Sequence, residues 1–469
     1  MKKYIYLFLL LFVSVTAGAQ RAKYVFMFIG DGMGLNQVNL TEIYRAVEDG
    51  KTEPAIKPLL FSTFPVASFA TSYSSSSRVT DSAAAGTALA CGKKTYNGAI
   101  GCDKENTFVS IAEVAKAAGR KVAILTTVGM NHATPASFYA HQPSRNMYYE
   151  IAEEAISSNF DFLGGGDVIS PTKKYDKTSA LDMRQRFEEA GMTVARGLED
   201  YKAKSADAKR MVLLNTRPNS TSVPYAIDRE AQDITLRQMT ECAIDFLEKG
   251  GAKKGFFMMV EGGRIDQAGH SNDPGACVRE VVDMDEAVAA AYEFYKKHPK
   301  ETLILVTADH ETGGLGLAAN GQYALDMNPL VSQTLSFDMI SRKITDLRKQ
   351  YGKKATWENV KEVLAAETGL FKTHKVTWAQ EKALRDAFEE SFVNGKVVFD
   401  ENMYSSLEPL ASVARKVLCE QAVLGFTSTG HTAAYVPVFV IGAGQELFCG
   451  KMDNTDIPKK MAKAAGLKL

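Results

Sequence analysis

Residues 24–31 read YVFMFIGD, an unbroken apolar run that ends in a glycine and then Asp31. A run with no polar alternation suits a strand buried on both faces, as in a parallel sheet covered by helices on each side. Residues 122–127, 256–260, 303–307 and 436–441 repeat the pattern. Helical periodicity falls between them: in residues 274–297, Val278, Val281, Val282, Val288, Ala291 and Tyr292 suit one helix face. Asp285 interrupts that stripe and is expected at its edge, reaching solvent. The expectation is an α/β fold of three layers, a largely parallel central sheet flanked by helices.

Acidic and histidine residues fall where those strands stop. Asp31 follows the first, Glu261 follows Val260, and Asp309-His310 follow the strand ending at Thr307. The carboxyl edge of an open α/β sheet is where ligands bind, so residues distant in sequence converge there. One Asp after a strand reads as a turn residue or cap; three such positions together read as a site. Asp266 and His270 lie four apart in EGGRIDQAGH, residues 261–270, and share one side of a helical turn. His431 stands in TGHT, residues 429–432, where ligation is a more natural role than packing. These residues are too many for one tetrahedral zinc and enough for two or three metals. Mixed oxygen and nitrogen donors favour Zn²⁺ with a harder Mg²⁺ nearby. His141, His298 and His374 read as structural or surface residues.

Residues 80–88, TDSAAAGTA, offer a nucleophile. Ser82 would open an Ala-rich helix whose N-terminus favours a bound anion. By this segment alone, helix capping by the serine explains it equally simply. No spare histidine stands ready as a base, so a metal that lowers the hydroxyl pKa is the simpler activator.

The 469 residues, 45% hydrophobic and 23% charged, are enough to bury a sizeable core and exclude disordered, collagen-like and coiled-coil readings. Basic and acidic residues both number 55, so nothing supplies a phosphate-backbone grip on nucleic acid. Residues 1–19 read as a signal peptide: Lys2 and Lys3, an apolar run too short to span a bilayer, then Ala17-Gly18-Ala19 as the cleavage pattern. A periplasmic or secreted protein without a stable membrane anchor is expected. Six cysteines, none in CxxC spacing, leave two readings open, a Cys91–Cys102 bridge or buried free thiols. From about 320 to 424 the pattern changes. Phe337, Ile340, Ile344, Leu347 and Tyr351 keep a 3,4,3,4 spacing, and Thr377 with Gln380 makes a capping box. This is expected to be a helical insertion within one catalytic domain over residues 20–469. Residues 164–166, three glycines, read as a short loop.

The chain resembles the alkaline phosphatase family through DGMG (31–34), TDSAAAGT (80–87), HATP (132–135), residues 261–270, TADHETGG (307–314) and TGH (429–431). Any one motif arises by chance; six in the family's order over almost the whole mature chain are specific. The resemblance implies that Asp266, His270 and His431 hold one zinc and Asp31, Asp309 and His310 a second. Asp31 would bridge to a third ion, usually Mg²⁺, completed by Glu261 and Thr134. Ser82 would be the phosphorylated nucleophile and Arg145 the phosphate clamp, a task that suits a planar guanidinium. Asp81, His132 and Gln267 would line the substrate site with Arg145. Some members carry Asp and Lys where this sequence has His132 and Gln267. His132 matches another branch, and Gln267 supplies no positive charge, which bears on phosphate affinity, pH optimum and the third metal. The expected activity is hydrolysis of small phosphomonoesters through phosphoserine to inorganic phosphate. The alternatives are a phosphodiesterase on the same scaffold and a catalytically silent phosphate-binding protein. A homodimer is left open.

Overall fold

The computed structural model describes residues 21–51 and 54–469; the expected signal peptide, residues 1–19, lies outside the described residues. Among these, ten strands form the central sheet. They are β1 (Tyr24–Ile29), β2 (Val66–Thr71), β3 (Lys121–Gly129), β4 (Phe162–Gly166), β5 (Thr193–Arg196), β6 (Met211–Leu214), β7 (Phe256–Glu261), β8 (Thr302–Thr307), β9 (Val436–Gly442) and β10 (Met452–Asp453). Their spatial order is β10-β2-β9-β8-β1-β7-β3-β4-β6-β5. Every pairing is parallel except those of β9, which runs antiparallel to both β2 and β8. Residues of β1, β3, β7 and β8 are buried along nearly their whole lengths, the reason their sequences show no polar alternation.

Register explains the convergence of the acidic residues. Ile29 lies opposite both Glu261 and Thr307, and Thr126 is also opposite Glu261. Asp31, Glu261 and Asp309 therefore emerge side by side at one sheet edge. Val438 of β9 is paired with Thr307, and because β9 is reversed, the chain entering it arrives from that same edge. His431 comes in this way.

The region expected to be helical holds the helices Asn328–Ser332, Phe337–Tyr351, Trp357–Thr368, Trp378–Phe388 and Pro409–Gln421. The Thr377–Gln380 capping box is present, and Phe337, Ile340 and Ile344 are buried in a second hydrophobic core that also takes in Leu40, Tyr44 and Val278. The chain leaves and returns through a ribbon in which Leu315 pairs with Phe426, and a second short ribbon sets His431 opposite Thr312. No helix among the described residues is long and apolar enough to cross a membrane.

Three expectations are corrected. Asp285, on the helix Pro274–Lys297, is buried and accepts the backbone N–H groups of Leu60 (3.0 Å) and Phe61 (3.1 Å), with Arg45 at 3.5 Å. Its break in the apolar stripe is a docking point for another segment. Residues 164–166 belong to buried strand β4, where a Cβ on Gly166 would strike the Thr221 backbone. All six cysteines are free, so Cys91 and Cys102 form no bridge; the buried-thiol reading holds for Cys91, Cys102, Cys242 and Cys277, whereas Cys419 is half-buried and Cys449 exposed.

Candidate active site and metal centre

Ser82 is the first residue of the buried helix Ser82–Cys91, but Asp81 is its N-cap, accepting from Ala84 N at 3.0 Å. Capping thus falls to the aspartate. The Ser82 hydroxyl is left to face the His310 Nε2 atom at 3.2 Å.

Three clusters of acidic and histidine side chains form at this site, one of them containing the His310 that the hydroxyl faces: Asp266, His270 and His431; Asp31, Asp309 and His310; and Asp31, His132 and Glu261. The hydrogen bonds of the imidazoles show what the first two are built for. His270 Nδ1 donates to the Thr429 carbonyl at 2.5 Å and His431 Nδ1 to the Thr80 carbonyl at 2.8 Å. Carbonyls only accept, so in the neutral rings both Nε2 atoms carry lone pairs. They face each other at 3.1 Å, with Asp266 Oδ1 at 3.3 and 3.6 Å. The second cluster follows the same logic. Thr312 Oγ1 donates to Asp266 Oδ1 (2.5 Å) and accepts from His310 Nδ1 (3.2 Å). His310 Nε2 is then turned on Asp31 Oδ1 and Asp309 Oδ2, both at 3.2 Å. Acceptors that converge on acceptors in a buried place repel; a cation among them converts the repulsion into ligation.

The carboxylates carry the same message. Asp31 Oδ1, Asp309 Oδ2 and Glu261 Oε1 are buried without a hydrogen-bond partner. Burial, then the neighbouring acids, holds the carboxyls of Asp31 and Asp309 well above the usual range. Burial pushes Glu261 up to about 7. Burial also acts to raise Asp266, but His270, His431 and His310 outweigh it and hold that carboxyl low. Asp31 belongs to two clusters at once, and Thr134 Oγ1 lies 3.4 Å from its Oδ2, while Thr126 holds Glu261. Gly32, at φ +75°, lets the chain after Asp31 pass against Thr312 and Asp266, where a Cβ would collide with both.

Arg145 lies in the loop before the helix Tyr148–Ser157 and does not open it; its side chain is only 14% exposed. Nη1 donates to Asp81 Oδ2 at 3.1 Å and Nη2 to His132 Nε2 at 3.2 Å. Burial first, and Arg145 second, lowers the His132 pKa to about 3, so this ring is a neutral acceptor for the guanidinium. Gln267 is buried on the helix Arg264–His270, its Oε1 accepting from Arg264. His141, His298 and His374 stand elsewhere. His141 bonds Glu154 and the Phe108 carbonyl, His298 packs on Tyr24 and Phe294, and His374 bonds Ser332.

Two residues escaped the sequence reading. Thr312 ties Asp266 to His310; it lies inside a quoted motif, and its position opposite His431 was the missing clue. Tyr404 comes from the helical region, placing its hydroxyl 3.4 Å from both Arg145 Nη2 and His132 Nε2 and its ring against His270. No motif marks it.

The family model described as Alkaline phosphatase matches residues 22–467. The chain belongs to the alkaline phosphatase family. Alkaline phosphatase 4 of Bacillus subtilis (strain 168) is 34% identical over 92% of this chain and 86% of its own length. In structure, the chain is similar to a cold-active alkaline phosphatase from a psychrophile, Shewanella sp., with a TM-score of 0.78 and 28% identity over 94% of this chain and 99% of the other. A mutant of TAB5 alkaline phosphatase with Mg bound in its M3 site aligns with a TM-score of 0.65 at 27% identity, over 96% and 100% of the two chains. Alkaline phosphatases are metal-dependent enzymes acting on phosphomonoesters, and the three clusters supply the donor sets such an enzyme needs.

Proposed function

We propose that the protein is an exported phosphomonoesterase that passes the phosphoryl group through Ser82. The observation that carries this reading is the buried Ser82 hydroxyl at a helix N-terminus, 3.2 Å from His310 Nε2. Residues 1–19 would be the cleaved signal peptide and 20–469 one catalytic domain with a helical insertion at about 320–424, released to the periplasm or the medium. Small phosphomonoesters are the substrates.

The donor sets fit two Zn²⁺ and one Mg²⁺. Asp266, His270 and His431 would hold one zinc, Asp31, Asp309 and His310 the other, and Asp31, Glu261 and Thr134 the magnesium. Mg is bound in the M3 site of a TAB5 mutant that carries glutamate in place of a histidine, which supports a hard third ion where acidic oxygens predominate. When bound, such ions lower the pKa of a coordinated hydroxyl or water and stabilise a developing alkoxide. The side chains of this protein do the rest. Arg145 engages two phosphoryl oxygens, and Asp81 fixes its guanidinium from behind. His132 and Gln267 complete the lining. Ser82 Oγ bonds to phosphorus as the bond to the alcohol oxygen breaks, and the N-terminal peptide groups of its helix face the transferred anion. Water then displaces Ser82 and releases phosphate, so two inversions give net retention at phosphorus.

The arginine clamp favours a dianionic terminal phosphate over a diester. Acid quenching during turnover of a phosphomonoester, followed by peptide mapping, tests the reading. Phosphate on the Ser82 peptide is expected; label elsewhere, or none under turnover, would overturn it.

A further inference from the structure

A cleft of about 320 Å³ shares Tyr404 with the proposed phosphoryl site and is lined by Gln267 as well. Gln267 follows Asp266 in sequence, and the Tyr404 hydroxyl reaches Arg145 and His132. A leaving group on a phosphoryl group held by Arg145 has this cleft within its reach.

The charges inside it are unevenly used. Arg217 is engaged by Asp233 through Nε (3.0 Å) and Nη2 (2.5 Å). Asp228 takes the Ser336 N–H (2.8 Å) and hydroxyl (2.6 Å). Asp338 and Arg342 lie one helical turn apart on Phe337–Tyr351 without a direct ion pair, and Arg264 acts on the Asp338 carboxyl more than Arg342 does. Arg264 differs: its guanidinium lies flat on the Tyr225 ring at 3.3 Å, one nitrogen donates to Gln267, and buried Nε has no partner. Among the described residues no carboxylate comes within salt-bridge distance of it. A half-buried guanidinium, held rigid by stacking and without a direct ion pair, with Asp228 and Asp338 acting on it only at longer range, can receive an anion.

We propose that this cleft is the leaving-group subsite, in which Arg264 selects phosphomonoesters whose alcohol carries a carboxylate. A monoanion matches one stacked guanidinium; a second phosphate would set a dianion against Asp228 and Asp338. The inference rests on the phosphomonoesterase reading and adds a substrate class to it.

The test compares kcat/KM for 3-phosphoglycerate and for glycerol 1-phosphate, which differ by the carboxylate, using the Zn²⁺- and Mg²⁺-loaded protein. The ratio within each variant is the readout. The parent should favour 3-phosphoglycerate by roughly tenfold, the scale of one charge-assisted hydrogen bond. Arg264→Gln should bring the ratio to near one, Arg264→Lys should keep part of it, and Asp338→Asn should raise it. A ratio near one in the parent, or a ratio unmoved by both Arg264→Gln and Asp338→Asn, overturns the proposal. If the parent turns over p-nitrophenyl phosphate but shows no carboxylate preference, the subsite fails alone. If it turns over none of the three, the phosphomonoesterase reading fails with it.

Discussion

His270 and His431 point their Nε2 atoms at each other across 3.1 Å, while backbone carbonyls of Thr429 and Thr80 occupy the opposite nitrogens. One histidine rides on a helix after β7 and the other on a ribbon leading into β9, 161 residues apart in the chain. Asp266 Oδ1, at 3.3 and 3.6 Å from the two rings, adds a third acceptor to the pair.

Removing metal should therefore destabilise the fold as well as stop turnover. The clusters hold buried carboxylates and imidazole lone pairs that a bound cation reconciles and that must otherwise take up protons. Dialysis against a chelator should lower the thermal midpoint by several degrees, and Zn²⁺ with Mg²⁺ should restore it. Equal midpoints with and without metal would contradict this, and differential scanning calorimetry reads it directly.

Replacing Ser82, the proposed nucleophile, should separate chemistry from stability. Ser82→Ala leaves the Asp81 cap and the Ala-rich helix intact, so the urea midpoint should barely move. Turnover should fall on the order of a thousandfold or more, because the covalent route is closed.

Asp81 has two tasks that substitutions can divide. Asp81→Ala loses the Ala84 cap and the hold on Arg145, and should cost about 1 kcal/mol of stability while raising KM several-fold. Asp81→Asn retains a capping oxygen, so stability should largely return while KM stays raised. Paired urea melts and steady-state kinetics check both halves.

The alkaline side of the stability profile should carry the signature of His141. The carboxylates of Glu113 (3.6 Å) and Glu154 (3.1 Å) beside it raise its pKa to about 10. Its folded value exceeds its unfolded one, so its contribution is fully present below about pH 6.5 and is lost as pH climbs through about 10. His141→Gln should flatten that part of the decline in the urea midpoint. A profile identical to the parent's would contradict it.

Much of this was legible in the sequence because the decisive signals are local. An apolar run followed by an acid marks a buried strand and its carboxyl edge, and this located Asp31, Glu261 and Asp309. What stayed hidden depends on partners distant in sequence. Asp285 looked solvent-facing because periodicity cannot reveal that Leu60 and Phe61 bring N–H donors to it. Residues 164–166 looked like a loop because the need for glycine comes from the Thr221 backbone beside them. Strands such as Thr193–Arg196 and Met452–Asp453 are too short to leave a pattern. Tyr404 reaches the site only because its region folds back over Arg145 and His132.

The most direct measurement is hydrolysis of p-nitrophenyl phosphate and of the matching diester, bis-p-nitrophenyl phosphate, by the mature protein loaded with Zn²⁺ and Mg²⁺ across alkaline pH. Monoester turnover well above diester turnover is the expected result, since the proposed arginine clamp suits a dianionic terminal phosphate. A preference for the diester, or no turnover of either, would contradict it.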